Sequence, residues 1–279
     1  MNALMLAAPR AAHVISAPDA QAGPDDVLVK VLACGVCGSD LNAWAGVSGV
    51  EFPLGPGAPG HEVWGEVVAG PAGFASGQLV TGLFSQGYAE YASAPAAQVL
   101  MVPAGLAGST VLGEPLACAM GVVQRAAIRE SDAVAVVGFG YLAALIMSLQ
   151  RPAPRRWVAL TRRPAARSLA LSLGAAAAWD YAEVPGDSWD SVDVVIEAAG
   201  AQQALDHATW LTRERGRLVI AGYHADGPRT VNMQSWNWKG LDVINAHERD
   251  PRVYMRNLGL ALAVAEQEGL RLDRFITHE

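Results

Sequence analysis

Hydrophobic and polar positions change their rhythm near residue 110. Upstream, short apolar runs at 27–32, 62–68 and 98–102 partly alternate with polar positions and are separated by dense glycine and proline. The densest such stretch is Phe52-Pro53-Leu54-Gly55-Pro56-Gly57-Ala58-Pro59-Gly60. Short strands with close turn signals predict an all-β barrel or sandwich. Downstream the period lengthens. A helical run over 114–129 leads into an apolar strand at 133–137. The pattern then predicts a helix at 142–150, a strand at 157–161, a helix at 165–173, a strand at 192–196, a helix at 202–211 and strands at 217–221 and 241–246. A last helix covers 251–267. Strands alternating with helices, without hairpin turns, predict a doubly wound parallel sheet. The expected division is therefore an all-β domain over 1–110 and an α/β domain over 111–279, joined through Pro103-Ala104-Gly105-Leu106-Ala107-Gly108.

Composition narrows the class. Of the 279 residues 52% are hydrophobic and 17% charged, which excludes a largely disordered chain. Twenty basic against 27 acidic residues leave a net charge of −7, so a general nucleic-acid binder is excluded. No uninterrupted apolar run reaches the ~18 residues that a membrane span needs. The opening MNALMLAAPR does not read as a secretory leader. Three cysteines, Cys34, Cys37 and Cys118, make no disulfide framework and suit a reducing compartment. The expectation is a soluble cytoplasmic protein with no membrane and no nucleic-acid partner.

Directly after the apolar strand ending at Val137 stands Gly138-Phe139-Gly140-Tyr141-Leu142-Ala143, a GxGxxA. The first glycine permits a tight turn, the second lets the backbone approach a pyrophosphate, and the small Ala143 lets helix pack on strand. Alone the pattern is weak. Between a strand and a helix it points to a dinucleotide site. The next strand ends in Leu160-Thr161-Arg162-Arg163-Pro164, with no acid for a ribose 2′-hydroxyl and two guanidinium groups suited to a 2′-phosphate. The expected cofactor is NADP(H) over NAD(H), unless the arginines are a solvated surface pair.

Three pieces of the chain carry metal-ligating side chains: Cys37-Gly38-Ser39-Asp40, Gly60-His61-Glu62 and Gly113-Glu114-Pro115-Leu116-Ala117-Cys118. A thiolate, an imidazole and carboxylates suit zinc, and three protein ligands with one open position make a catalytic zinc site. Cys34 and Cys37 form a CxxC, but no second pair exists for a four-cysteine site. Glu114 also suits the N-terminus of a helix as a simple dipole partner. The remaining histidines have no motif context. Trp44 and Trp64 lie close enough in sequence to line a pocket.

In this order, these pieces and the GxGxxA resemble the zinc-dependent medium-chain dehydrogenase/reductase superfamily, above all its sorbitol and threonine dehydrogenase branch. The resemblance covers nearly the whole chain. It implies a GroES-like β-barrel catalytic domain followed by a Rossmann domain. It implies Cys37, His61, Glu62 and Glu114 as zinc ligands, Glu62 directly or through water. Ser39 would take the substrate's proton, Asp40 would orient the histidine ligand, and Cys118 would sit near the nicotinamide held by Gly138, Gly140, Ala143, Thr161, Arg162 and Arg163. The implied chemistry is hydride transfer between an alcohol, polyol or ketone and the nicotinamide, with one catalytic zinc. The family's edge-strand association, here through 241–246, implies a homodimer or homotetramer.

Three departures stand out. The family's structural zinc lobe of four cysteines is absent, since Gln78-Leu79-Val80 runs almost directly into Gly87-Tyr88-Ala89-Glu90-Tyr91. Asn42 replaces the histidine that relatives often use to pass protons to solvent. The chain stops at Ile276-Thr277-His278-Glu279, so the family's return to the catalytic domain is expected to be missing. Two other readings follow: a zinc-free quinone or enone reductase of the same superfamily, and a truncated, non-catalytic nucleotide-binding relative.

Overall fold

β1 (Asn2–Ala8) and β2 (Ala11–Ser16) pair antiparallel as a ribbon. They belong to a computed structural model that describes residues 1–47 and 49–276. β3 (Asp26–Gly35) runs into the short helix α1 (Gly38–Ala45), and β4 (Glu62–Ala69), β5 (Leu79–Gly82), β6 (Tyr91–Pro95) and β7 (Val99–Met101) follow. Five of these strands form one antiparallel sheet in the order β6-β3-β4-β5-β7. Val27, Val29, Val63, Val67 and Val80 are all buried between its strands. Their β-branched side chains suit a pleated, packed surface.

α2 (Gly113–Ala126) leads to β8 (Ala133–Val137), α3 (Tyr141–Leu149), β9 (Arg156–Leu160), α4 (Pro164–Ser172), β10 (Ala177–Trp179), β11 (Val192–Glu197), α5 (Gln202–Leu211), β12 (Thr212–Ile220), α6 (Met233–Lys239) and β13 (Asp242–Asn245). The six strands form one sheet, β10-β9-β8-β11-β12-β13, and every adjacent pair is parallel. The winding reverses between β8 and β11, the place where such sheets take ligands at their carboxyl ends. β10 is the one strand of this sheet that the sequence pattern does not predict. Its alanines, within Ala175-Ala176-Ala177-Ala178, have weak strand preference, and the exposed edge of β9 supplies the pairing.

Contacts divide the chain between Ala117 and Cys118, inside α2, and again between Glu248 and Arg249. This differs from the expected single boundary at 110/111. The last helix, α7 (Pro251–Gln267), groups with the first unit and not with the parallel sheet. It carries a stripe of buried residues at helical spacing, Tyr254, Leu258, Ala261, Leu262 and Ala265, which packs near β7 and the turns at 96–98 and 104–106. Glu266 accepts the Gly105 N–H at 3.0 Å, and Asp273 accepts the Ser109 hydroxyl at 3.0 Å. α7 and the turn Leu272–Phe275 thus group with the first unit. Among the described residues no helix is long and apolar enough to cross a membrane.

Candidate functional site

The antiparallel ladder explains why distant motifs meet. β3 ends and β4 begins with Gly35 opposite Glu62. Cys37, two residues past the end of β3, therefore comes beside His61 and Glu62 at the start of β4. The Cys37 sulfur, a His61 ring nitrogen and a Glu62 oxygen all lie within 4.8 Å of one another. A Cβ on Gly35 would collide with the Glu62 carboxylate, so only glycine allows this approach.

Asp40 braces the trio from the first turn of α1. Its Oδ2 accepts the Cys37 N–H at 2.9 Å and the Tyr88 hydroxyl at 2.6 Å, and its Oδ1 lies 3.3 Å from His61 Nδ1. His61 Nδ1 also lies 3.0 Å from the Pro59 carbonyl. Both neighbours of Nδ1 are acceptors, so Nδ1 carries a proton and Nε2 is the ring nitrogen available to a metal. Burial pulls the His61 ring down, but hydrogen bonds to Asp40, Cys37 and Pro59 outweigh it and push the ring up to about 11. Glu62 is buried and pushed up to about 7, chiefly by burial and then by the charge of Glu114. A cation beside these carboxylates would relieve both effects. Burial and Asp40 also hold Tyr88 in its protonated form.

Glu114 lies outside the close trio, although its charge bears on Glu62. Its place is set by Thr81, which is fully buried. The Thr81 hydroxyl donates to the Val63 carbonyl at 2.7 Å and accepts the Gly113 N–H at 2.8 Å, tying the start of α2 to β4. Ser39 is half-buried in α1, two residues beyond Cys37. Cys34 stays apart in β3, and burial pushes its thiol up to about 12, so it remains protonated.

In the second unit, Gly138 follows β8 with φ of +89°, the left-handed region, and donates its N–H to the Leu160 carbonyl at 2.8 Å. A Cβ there would come within 2.5 Å of the Ala199 side chain. Gly140 begins α3, whose first turn no side chain caps, leaving the N–H groups of that turn for an anion. Ala143 is fully buried, which lets α3 approach the sheet. Arg163 Nη2 donates to the Phe139 carbonyl at 3.0 Å, placing a guanidinium on the glycine turn itself. Thr161 is buried at the end of β9, while Arg162 is exposed. Cys118 is half-buried in α2 and falls in the second unit.

No sequence motif marks Tyr88, Thr81, Glu197, His224 or Arg229. Glu197 alone carries a signal in the chain: it ends the apolar run Val194-Val195-Ile196, and an acid closing a buried strand needs partners.

Comparison with known proteins agrees with both halves. The model of the alcohol dehydrogenase GroES-like domain matches residues 23–104. The chain is 25% identical to D-arabinitol dehydrogenase 1 of Uromyces fabae, over 100% of this chain and 90% of that protein. It is 25% identical to sorbitol dehydrogenase of Halalkalibacterium halodurans, over 94% of this chain and 87% of that one. A solved structure assigned as a zinc-binding dehydrogenase from Sinorhizobium meliloti 1021, bound to NADP, matches with a TM-score of 0.83 and 27% identity, covering 98% of this chain and 90% of that one. The fold expected from the sequence, a GroES-like β unit followed by a Rossmann sheet, is the fold observed. With the motif-bearing strands, the glycine turn and these relatives in agreement, the chain carries an alcohol dehydrogenase GroES-like domain and is similar over nearly its whole length to medium-chain dehydrogenases of the alcohol and polyol dehydrogenase kind.

Proposed function

We propose that this protein is a zinc-dependent oxidoreductase that moves a hydride between an alcohol or polyol, or the matching ketone, and NADP(H). The observation that carries the reading is the Cys37–His61–Glu62 trio with Asp40 behind the imidazole. Sulfur, nitrogen and oxygen donors at this separation fit one zinc ion, and a carboxylate on the far ring nitrogen is the usual support of a histidine ligand. The glycine turn fits a pyrophosphate, because Gly138 and Gly140 clear the backbone at an uncapped helix start. When bound, zinc supplies Lewis acidity toward an alcohol or carbonyl oxygen, and the nicotinamide gives or takes the hydride.

The chain's own residues do the rest. Cys37, His61 and Glu62 hold the ion, and Glu114 adds a ligand or a balancing charge. Asp40 keeps His61 in the tautomer that frees Nε2. Ser39 holds the substrate's exchangeable proton; Asn42 cannot titrate, so that proton leaves through water. Gly138, Gly140 and Ala143 seat the dinucleotide, and Arg162 and Arg163 answer a 2′-phosphate. The relatives named for D-arabinitol and sorbitol support a polyol or simple alcohol as substrate. A cytoplasmic homodimer or homotetramer completes the reading.

The test is a turnover screen over sugar alcohols, cyclitols and simple alcohols, read by nicotinamide absorbance, with metal quantified in the same preparation. About one zinc per chain is expected, and Cys37→Ser should lose both metal and turnover. Turnover without metal points instead to an enone or quinone reductase. Bound metal without turnover on any alcohol points to a binding protein.

A further inference from the structure

Three residues outside both motifs meet at the carboxyl end of the parallel sheet. Glu197 closes β11 and is fully buried. Its Oε1 accepts the N–H groups of Ala199 at 2.9 Å and Gly200 at 2.7 Å, and its Oε2 lies 2.9 Å from Nε2 of His224. The other ring nitrogen, Nδ1, accepts from Nε of Arg229 at 2.9 Å. Arg229 also donates through Nη2 to the Gly200 carbonyl at 2.7 Å and pairs with Asp226.

The bond directions decide the state of the ring. A guanidinium has donors only, so Nδ1 of His224 must be the acceptor and carries no proton. The ring's single proton then sits on Nε2 and is donated to Glu197. His224 is a neutral imidazole in one tautomer, bridging a buried anion and a cation.

The network holds the segment Ala199-Gly200, taking both its N–H groups through Glu197 and the Gly200 carbonyl through Arg229. That segment abuts the glycine turn. The Ala198 N–H donates to the Val137 carbonyl at 2.8 Å. A Cβ on Gly138 would lie 2.5 Å from the Ala199 Cβ and 2.7 Å from its nitrogen. The turn thus rests directly on what Glu197, His224 and Arg229 fix, and a backbone that must approach a pyrophosphate tolerates little displacement.

We propose that His224 and Arg229 are positioning residues for the dinucleotide, acting through Ala199-Gly200 on Gly138. The inference rests on the reading of the second unit as a nicotinamide nucleotide site. His224 works as an uncharged donor and acceptor, not as a charge.

The experiment measures NADPH binding directly, by fluorescence titration of the full chain, alongside thermal unfolding without nucleotide. His224→Ala and Arg229→Ala should each weaken NADPH about tenfold at a temperature where both remain folded. His224→Gln, whose amide offers Nε2–H to Glu197 and Oε1 to Arg229, should bind closer to wild type than to His224→Ala. Ring ¹⁵N shifts of the unaltered protein should show a protonated Nε2 and a bare Nδ1. Alanine variants that bind NADPH as tightly as wild type overturn the proposal. So does a glutamine variant as weak as the alanine one, or a doubly protonated ring. Unaltered protein that binds neither NADPH nor NADH overturns the nucleotide reading itself, and this is seen before any variant is made.

Discussion

Gly35 and Glu62 stand opposite each other across the β3–β4 ladder so closely that no side-chain carbon fits between them. The carboxylate occupies the space a Cβ would need. Gly35→Ala should therefore expel Glu62 from the trio, costing about 1–3 kcal/mol of stability by overpacking and weakening zinc about 10–100-fold. Unfolding by denaturant and metal titration check the two effects separately. An alanine variant with unchanged zinc affinity would show that Glu62 does not serve the metal.

Zinc binding should depend on pH with a definite sign. In the metal-free chain the hydrogen bonds of His61 hold its proton up to about 11 against the pull of burial. A histidine binds a metal only as the neutral imidazole, so binding displaces that proton. Affinity should rise with pH, about tenfold per unit for one displaced proton. Competition with a chelator between about pH 6 and pH 8 measures the slope. Affinity that is flat or falls with pH contradicts His61 as a ligand.

Asp40→Asn keeps the shape of the brace and removes its charge. The Cys37 N–H and Tyr88 hydroxyl can still bond to the amide oxygen, while the imidazole loses its carboxylate. Zinc affinity should fall about 10–100-fold with little change in stability. Isothermal titration of the metal-free protein reads the first, and thermal unfolding the second.

Thr81→Val removes a buried hydroxyl that serves two backbone groups, the Val63 carbonyl and the Gly113 N–H. Each group left unpaired costs about 1–3 kcal/mol. The variant should be destabilised by about 2 kcal/mol or more, and Thr81→Ser by clearly less. Equilibrium denaturation settles it; equal stability of the threonine and valine forms would dismiss the tie between β4 and α2.

Arg163→Ala distinguishes two roles of one side chain. Its bond to the Phe139 carbonyl supports the glycine turn, which both cofactors would use. A 2′-phosphate contact would serve NADPH alone. KM for NADPH should rise about tenfold or more, as for a lost charged hydrogen bond, with KM for NADH little changed. An equal rise for both cofactors would assign Arg163 to the turn only.

Much of the molecule is legible in the chain because it depends on neighbours in sequence. The GxGxxA between Val137 and the next helix, the strand–helix alternation and the candidate ligands Cys37, His61 and Glu62 are local patterns, and local propensity and periodicity report them. What the tertiary structure alone decided lies at long separation. The stripe Tyr254, Leu258, Ala261 and Ala265 declares an apolar helix face, but periodicity names no covering surface, so only folding sends α7 to the first unit. Gly35 reads as an ordinary glycine until Glu62, 27 positions later, is paired against it. Thr81, Tyr88 and the Glu197–His224–Arg229 network carry no motif, because each acquires its role from a partner brought near by sheet register and strand order. A one-dimensional pattern specifies which residues must be buried or paired. The register and the winding of the sheets determine with whom, since those depend on packing the whole chain at once.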